Sequence, residues 1–238
     1  MLILLCGKSG TGKTSVVKEL EKTYKYERIV TYTTRPIRMN EKEGEPYHFV
    51  SKEEFGDMCI DNEFIEYSNF VTGMYGTLWN DVINAENKIK ILVVEPNGLQ
   101  AIARHLPEEE YRVVYLYCSD LTAKIRQLSR GDDILEVALR SERDTVTFQP
   151  MILKEFVSLE VNTEYLSVKA VACKIDEYIK HCEEGFRFEE GNYTISENDV
   201  EIIPFVNSDT IDFHVRDLLA GNIKMVEQEE IENNGGGK

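Results

Sequence analysis

The 238-residue sequence predicts an α/β fold, a central parallel sheet flanked by helices. Three observations carry this reading. The spacing Gly7-x4-Gly12-Lys13-Thr14 lies between a short apolar run, MLILLC, and a helical pattern, KTSVVKELEKTY. Strand and helix signals then alternate to about residue 182. Two later runs, KIKILVVE and RVVYLYC, are apolar and β-branched, like strands covered on both faces.

The first strand, MLILLC, runs into the glycine-rich loop, whose spacing is that of a P-loop. Glycines let the backbone turn so that successive N–H groups point at a polyphosphate. Ser9, Gly10, Thr11 and Gly12 therefore form the ATP-binding cradle with Lys13, Thr14 and the helix that follows. Lys13 is expected on the β- and γ-phosphates and the Thr14 hydroxyl on Mg²⁺. A parallel sheet opened by such a loop predicts a P-loop NTPase fold, with ligands at the carboxyl ends of the strands. RIVTY reads as the next strand, RPIRMNEKEGEP as a polar loop and YHFV as a strand. In SKEEFGDMCIDN, Ser51 and Glu54 have capping-box spacing, so a helix starts there. EFIEYSNF alternates as a strand with one polar face. NGLQAIARHL and DLTAKIRQLSR are helical, and a long helix is predicted over NTEYLSVKAVACKIDEYI. From Glu184 the rhythm breaks into short strand and helix signals and ends in EQEEIENNGGGK, a composition expected to be disordered.

Net charge is −16, unevenly spread. Residues 183–238 hold 14 acids and 4 bases, leaving 29 acids and 23 bases before them. Nucleic acid and anionic membranes are therefore not expected partners. Five scattered cysteines form no C-x-x-C pair, which fits a reducing, cytoplasmic setting, and Cys6 and Cys118 read as core residues. Four dispersed histidines suggest no metal site. The opening apolar run is short and lacks a basic start, unlike a signal peptide, and no run has membrane-spanning length.

The stretch after RIVTY carries the acceptor chemistry. In TYTTRPIRMNEKEGEPY, Arg35 and Arg38 lie three apart with Tyr47 beyond them, side chains suited to a monophosphate dianion. The set of motifs resembles the guanylate kinase family. T-T-R-x-x-R-x-x-E-x-x-G-x-x-Y is met by Thr33, Thr34, Arg35, Arg38, Glu41, Gly44 and Tyr47, F-[IL]-E by Phe64, Ile65 and Glu66, and Y-G-[ST] by Tyr75, Gly76 and Thr77. The resemblance covers about residues 1–182, with a GMP-binding segment at about 31–80 and a helical lid at about 126–145. It implies that Arg35, Arg38, Tyr47 and Tyr75 hold the phosphate of GMP, with Glu41 orienting the arginines. It implies that Glu66 accepts from the guanine ring N–H and amino group, and that Thr31 and Thr77 complete the base pocket. Guanine offers two adjacent donors there. Adenine would turn a lone pair on the carboxylate.

Further matches are looser. The family's D-[IV]-D-x-x-G is here Val93-Val94-Glu95-Pro96-Asn97-Gly98, so the first acid is absent and Glu95 replaces Asp. Glu95 still stands where an acid could meet the base or Mg²⁺-bound water. Lys8 replaces a usual Pro and is expected to be solvated. Arg126, Arg130 and Gly131 match the lid's R-x-x-x-R-G. Arg140 fits the next lid arginine, one residue early, while Arg143 reads as a solvated charge. With Lys13, these lid arginines are the expected catalytic cations. Pro150 interrupts a stretch where the family continues a helix, and Asn162 matches an Asn near the adenine of ATP.

The implied reaction is Mg-ATP + GMP → ADP + GDP, with dGMP a further acceptor. ATP and GMP are the expected partners and a second copy of the chain is a candidate one. Two other readings stay open: a related P-loop kinase with a different small phosphorylated acceptor, and a guanylate-kinase-like binding module that has lost catalysis. The region 183–238 is expected to be an acidic C-terminal extension to a domain ending near residue 182.

Overall fold

The computed structural model describes residues 1–38, 41–70, 73–83, 88–148 and 155–183. The expectations for Pro150 and for the extension beyond residue 183 lie outside the described residues.

A five-stranded sheet forms the centre, in the order β10-β9-β1-β8-β2, all neighbours parallel. Its strands are β1 (Leu2–Cys6), β2 (Glu27–Arg28), β8 (Lys90–Val93), β9 (Tyr111–Tyr117) and β10 (Leu159–Asn162). Every residue of β1 is buried because both faces of the sheet are covered. Ile3 and Leu5 pack into a cluster with Val16, Val17 and Leu20 of α1 (Lys13–Glu19, extended by a π-helical turn to Tyr24) and with Ile175 and Ile179 of α7 (Val168–Glu183). Leu2, Leu4 and Cys6 face the other way, onto Leu99 and Ile102 of α4 (Pro96–Ala103). Strict alternation along one strand thus builds two cores, as the period of two requires.

The segment between β2 and β8 forms a second sheet, in the order β4-β5-β3-β7-β6. Its members are β3 (Thr31–Thr33), β4 (Lys42–Glu43), β5 (Pro46–Phe49), β6 (Phe64–Phe70) and β7 (Gly73–Leu78). Helix α2 (Lys52–Ile60) starts where the capping pattern places it, with the Ser51 hydroxyl accepting from the Glu54 amide at 3.0 Å. Phe55 of α2 stacks on Phe64, centroids 4.5 Å apart, which ties helix to sheet. A short α3 (Trp79–Ile83) leads out of β7.

Three sequence expectations are corrected. RIVTY is two strands in two sheets, since β2 ends at Arg28 and β3 begins at Thr31. The polar loop contains β4, whose two exposed residues carry no hydrophobic signal. The helix expected from Asn162 begins at Val168, with the Ser167 hydroxyl accepting from the Ala170 amide. The preceding Leu159–Asn162 is an edge strand beside β9. Only Val161 of it is buried, so its apolar run is too short to see.

Helices α5 (Asp120–Ser129) and α6 (Ile134–Thr147) meet at a corner after β9. Ser119 caps the first and Asp133 the second. The carboxyl ends of β1, β8, β9 and β10 run into Gly7, Val94, Cys118 and Thr163, so the P-loop, Glu95 and the α5–α6 corner all stand at one edge of the central sheet.

Candidate active site

The P-loop is the turn between β1 and α1. Gly12 stands at the N-cap of α1 with φ 94°, a left-handed conformation that only glycine adopts without strain. Thr11 is buried and its hydroxyl donates to the Lys8 carbonyl at 2.8 Å, closing the loop on itself. The Lys13 ammonium curls back over the loop and donates to the Gly7 and Lys8 carbonyls. Desolvation pulls its pKa below the ordinary lysine value, partly offset by Cys6, Asp144 and Glu95, while the Arg130 charge lowers it further. Thr14 is exposed at the start of α1. The Ser9 amide donates to Asp144 Oδ2 at 2.6 Å, so an anion already engages this loop. Gly10 follows it in the turn. Lys8 is not a free solvated charge as expected; its ammonium meets Asp120 at 2.9 Å.

The second sheet carries the residues expected to hold the acceptor. The Thr33 hydroxyl donates to the Met74 carbonyl, and the Met74 amide donates to the Thr34 hydroxyl, both at 2.9 Å. These bonds fix the β3–β7 pair and hold Arg35 at its end. Arg35 is buried and donates to both Glu41 oxygens at 2.9 Å, a two-toothed pairing that defines the guanidinium plane. Its guanidinium carbon lies 5.4 Å from the Tyr47 ring centre and 5.5 Å from that of Phe49. Burial alone would raise the Glu41 carboxyl, but Arg35 and the Arg38 amide outweigh it and hold the pKa below the usual glutamate value. Arg38 gives Glu41 its backbone N–H at 2.9 Å and leaves its side chain exposed. Tyr47 and Tyr75 meet edge to face, 5.4 Å apart. Thr31 opens β3 in register with Tyr47.

Glu66 lies further along this sheet. The Thr77 hydroxyl, fully buried, donates to Glu66 Oε1 at 2.6 Å. That proton is committed, so Thr77 orients the carboxylate and offers a second ligand only its lone pairs. Burial pushes the Glu66 carboxyl above the ordinary glutamate value, Thr77 opposes this, and the nearby Glu95 adds to it. Gly98 of α4 makes room. A methyl group there would lie 2.9 Å from Glu66 Oε2 and 2.7 Å from a Val94 methyl. Glu95 is likewise raised by burial, with Arg143 opposing.

The lid residues separate into two groups. Arg126 donates to the Thr163 hydroxyl at 3.1 Å and to its carbonyl at 2.7 Å. Thr163 in turn donates to the Thr11 carbonyl, so Arg126 is tied through β10's end to the P-loop. Asn162 accepts from the Glu164 amide at 2.9 Å beside it. Arg130 and Arg140 instead share the Asp132 carboxylate. Arg143, expected to be solvated, is corrected by its contacts: it meets Glu95, at the start of α4, at 3.2 Å and Asp144 at 3.0 Å.

These features together give a glycine-rich loop between strand and helix, an arginine clasped by Glu41, and a half-buried carboxylate at Glu66 beside Gly98. A family model described as guanylate kinase matches residues 1–162. The chain belongs to the guanylate kinase family. The guanylate kinase of Lactobacillus delbrueckii subsp. bulgaricus is 30% identical over 203 residues, covering 77% of this chain and 97% of that relative. The guanylate kinase of Chlorobaculum tepidum is 31% identical over 181 residues, covering 75% and 93%. The crystal structure of guanylate kinase from Anaplasma phagocytophilum aligns with a TM-score of 0.54 at 20% identity, covering 93% of this chain and 96% of that one, a likeness of fold.

Sequence reasoning missed Asp132, Asp144 and Thr163. Asp132 adjoins the Arg130-Gly131 pair, so an acid beside that motif was its only signal. Asp144 and Thr163 reach the site purely through tertiary contact. The donor set also bears on Mg²⁺. Among the described residues no group of three or more His, Cys, Asp or Glu could hold a metal ion, and the oxygens near the loop include the Thr11 and Thr14 hydroxyls and the Asp144 and Glu95 carboxylates. Sparse hard-oxygen ligands fit Mg²⁺ carried in with phosphates and water, not a protein cage. No described helix is long and apolar enough to cross a membrane.

Proposed function

We propose that this member of the guanylate kinase family transfers the terminal phosphoryl group of Mg-ATP to GMP, and to dGMP as well. The observation that carries the base assignment is Glu66, a half-buried carboxylate held by Thr77 with space kept open by Gly98. Two acceptor oxygens side by side match the two adjacent donors of guanine, and a carboxylate covered by a bound adenine would face its lone pair and reject it.

The roles follow from position. The P-loop amides from Ser9 to Thr14 cradle the donor phosphates, and Lys13 leaves the Gly7 and Lys8 carbonyls to take up phosphate oxygens. Thr14 would hold Mg²⁺, whose chemistry is to neutralise charge across the β- and γ-phosphates. Arg35, kept planar by Glu41, and Arg38, with its guanidinium exposed, bind the GMP phosphate beside the Tyr47 and Tyr75 hydroxyls. Arg130 and Arg140 stabilise charge on the phosphoryl group in flight. Arg126, anchored at Thr163 near Asn162, acts on the adenine side. Glu95, drawn toward Arg143, links acceptor pocket to lid. Catalysis is alignment and charge, with no covalent intermediate on the protein.

A coupled ADP-release assay over a panel of nucleoside monophosphates tests this. Turnover confined to guanine acceptors is expected. Preference for another base removes the role of Glu66, and absence of turnover with every monophosphate favours a binding module.

A further inference from the structure

At the corner between α5 and α6, two guanidiniums converge on one carboxylate. Arg130 Nε donates to Asp132 Oδ1 at 2.9 Å and its Nη2 to Oδ2, while Arg140 Nη1 donates to that same Oδ2 at 2.7 Å. The Asp132 side chain is 14% exposed beneath an Arg130 that is 52% exposed. Arg140 also reaches Glu136, one helical turn away, at 2.8 Å. Arg130 caps the end of α5 and Arg140 lies within α6, and side by side without a counter-charge they would repel one another. Each also carries a long flexible stem whose freedom must be lost before it can act. A guanidinium has five N–H donors. Each spends two in these contacts, which leaves three on each for a phosphate. Burial opposes ionisation of Asp132, yet the two arginines hold its carboxyl below the usual aspartate value, so it stays charged throughout the neutral range. Arg130 also lies near enough to Lys13 for its charge to be felt there.

We propose that Asp132 is a positioning residue that assembles Arg130 and Arg140 into a single cationic fork, which meets the transferred phosphoryl group as one unit. The proposal rests on the reading of both arginines as phosphoryl-stabilising groups. Glu41 plays the corresponding part for Arg35 on the acceptor side, so each end of the transfer path has its arginine prepared by a carboxylate. Asp132 lowers the charge of the two arginines from two to one, and the more exposed Glu136 beside Arg140 offsets the rest.

The test is steady-state kinetics of D132N, R130A, R140A and the double variant D132N/R140A, with melting curves alongside. D132N keeps the shape but replaces one oxygen by donors that face guanidinium donors. It is expected to lower kcat roughly 10- to 100-fold, with the KM for GMP within about twofold of the unaltered chain and little change in melting temperature. A residue with only a structural role would move the melting curve and leave that split absent. In D132N/R140A the two losses should not multiply, because both remove the same fork. If D132N proves unstable at assay temperature, D132E keeps the charge but shifts the carboxylate by about a bond length, and a several-fold loss of kcat is expected. If R130A and R140A both turn over normally, the reading of the lid itself fails. If they are impaired while folded D132N or D132E keeps or exceeds the normal kcat, the lid reading stands and the role of Asp132 is overturned.

Discussion

Replacing Gly98 by alanine perturbs the proposed base pocket through a single methyl group that meets Glu66 and Val94. Gly98 is the third residue of α4, so alanine there gains about 1 kcal/mol of helix propensity. Against this, the added carbon would sit 2.7 Å from the Val94 methyl, 2.9 Å from Glu66 Oε2 and 3.2 Å from its carboxyl carbon. Contacts that short force movement by several tenths of an ångström. Val94 is buried in the core beneath α4 and has little room, so the carboxylate of Glu66 gives way. Overpacking of this kind costs about 1–3 kcal/mol, which the helix gain partly offsets, and the net stability change should be small. Binding is affected differently. Glu66 moves off the Thr77 hydroxyl and out of line with guanine, and a misaligned hydrogen bond to a charged group forfeits about 1.5–3 kcal/mol. The KM for GMP should therefore rise by roughly 10- to 100-fold while the KM for ATP stays near its normal value. Coupled ADP release with each substrate varied in turn, GMP calorimetry and a melting curve decide the matter. A folded Gly98→Ala chain with unchanged GMP affinity would refute the reasoning, since the carboxylate would then not be the group that reads the base.

Lys13→Met should nearly abolish turnover while GMP still binds by calorimetry, because Lys13 belongs to the P-loop and the acceptor arginines to the second sheet; loss of GMP binding in a folded variant would show the two sites are not separate. Glu66→Gln should impair guanine acceptors by about 1–3 kcal/mol, since an amide donor then faces a guanine donor, and equal activity on GMP contradicts the assignment. Glu66 must be ionised to accept two donors, and burial raises its pKa above the ordinary glutamate value. As pH falls, the KM for GMP should accordingly begin to climb at a higher pH than the titration of an exposed glutamate would give, and a profile that follows an exposed glutamate counts against it. Truncation after Glu183 should keep activity within a few-fold, because every residue given a role lies before it; a truncated chain that melts normally but has lost turnover would place part of the site in the extension.

The P-loop, the covered strands β1, β8 and β9 and the capped start of α2 were legible because each depends on local pattern. An apolar run, a glycine at a forced φ or a hydroxyl three residues before an acid means nearly the same thing in any context. The acceptor motif could be written down as a set of residue types, since phosphate and guanine demand particular donors and acceptors, and the structure clasps Arg35 on Glu41 and sets Tyr47 against Tyr75. Pairing was not legible. Nothing in RIVTY tells that its two ends join different sheets, and nothing near Leu159 marks an edge strand whose single buried residue is Val161. Glu41 lies six residues from Arg35, and Thr77 lies eleven from Glu66, but Asp144 reaches Ser9 across 135 residues and Thr163 reaches Thr11 across 152. Arg143 read as a solvated charge on a polar helix, and only the tertiary structure brought it to Glu95 at the start of α4. Chain chemistry determined which groups this site contains. The crossing of parallel strands, which gathers four carboxyl ends at one edge, decided which of them share a charge.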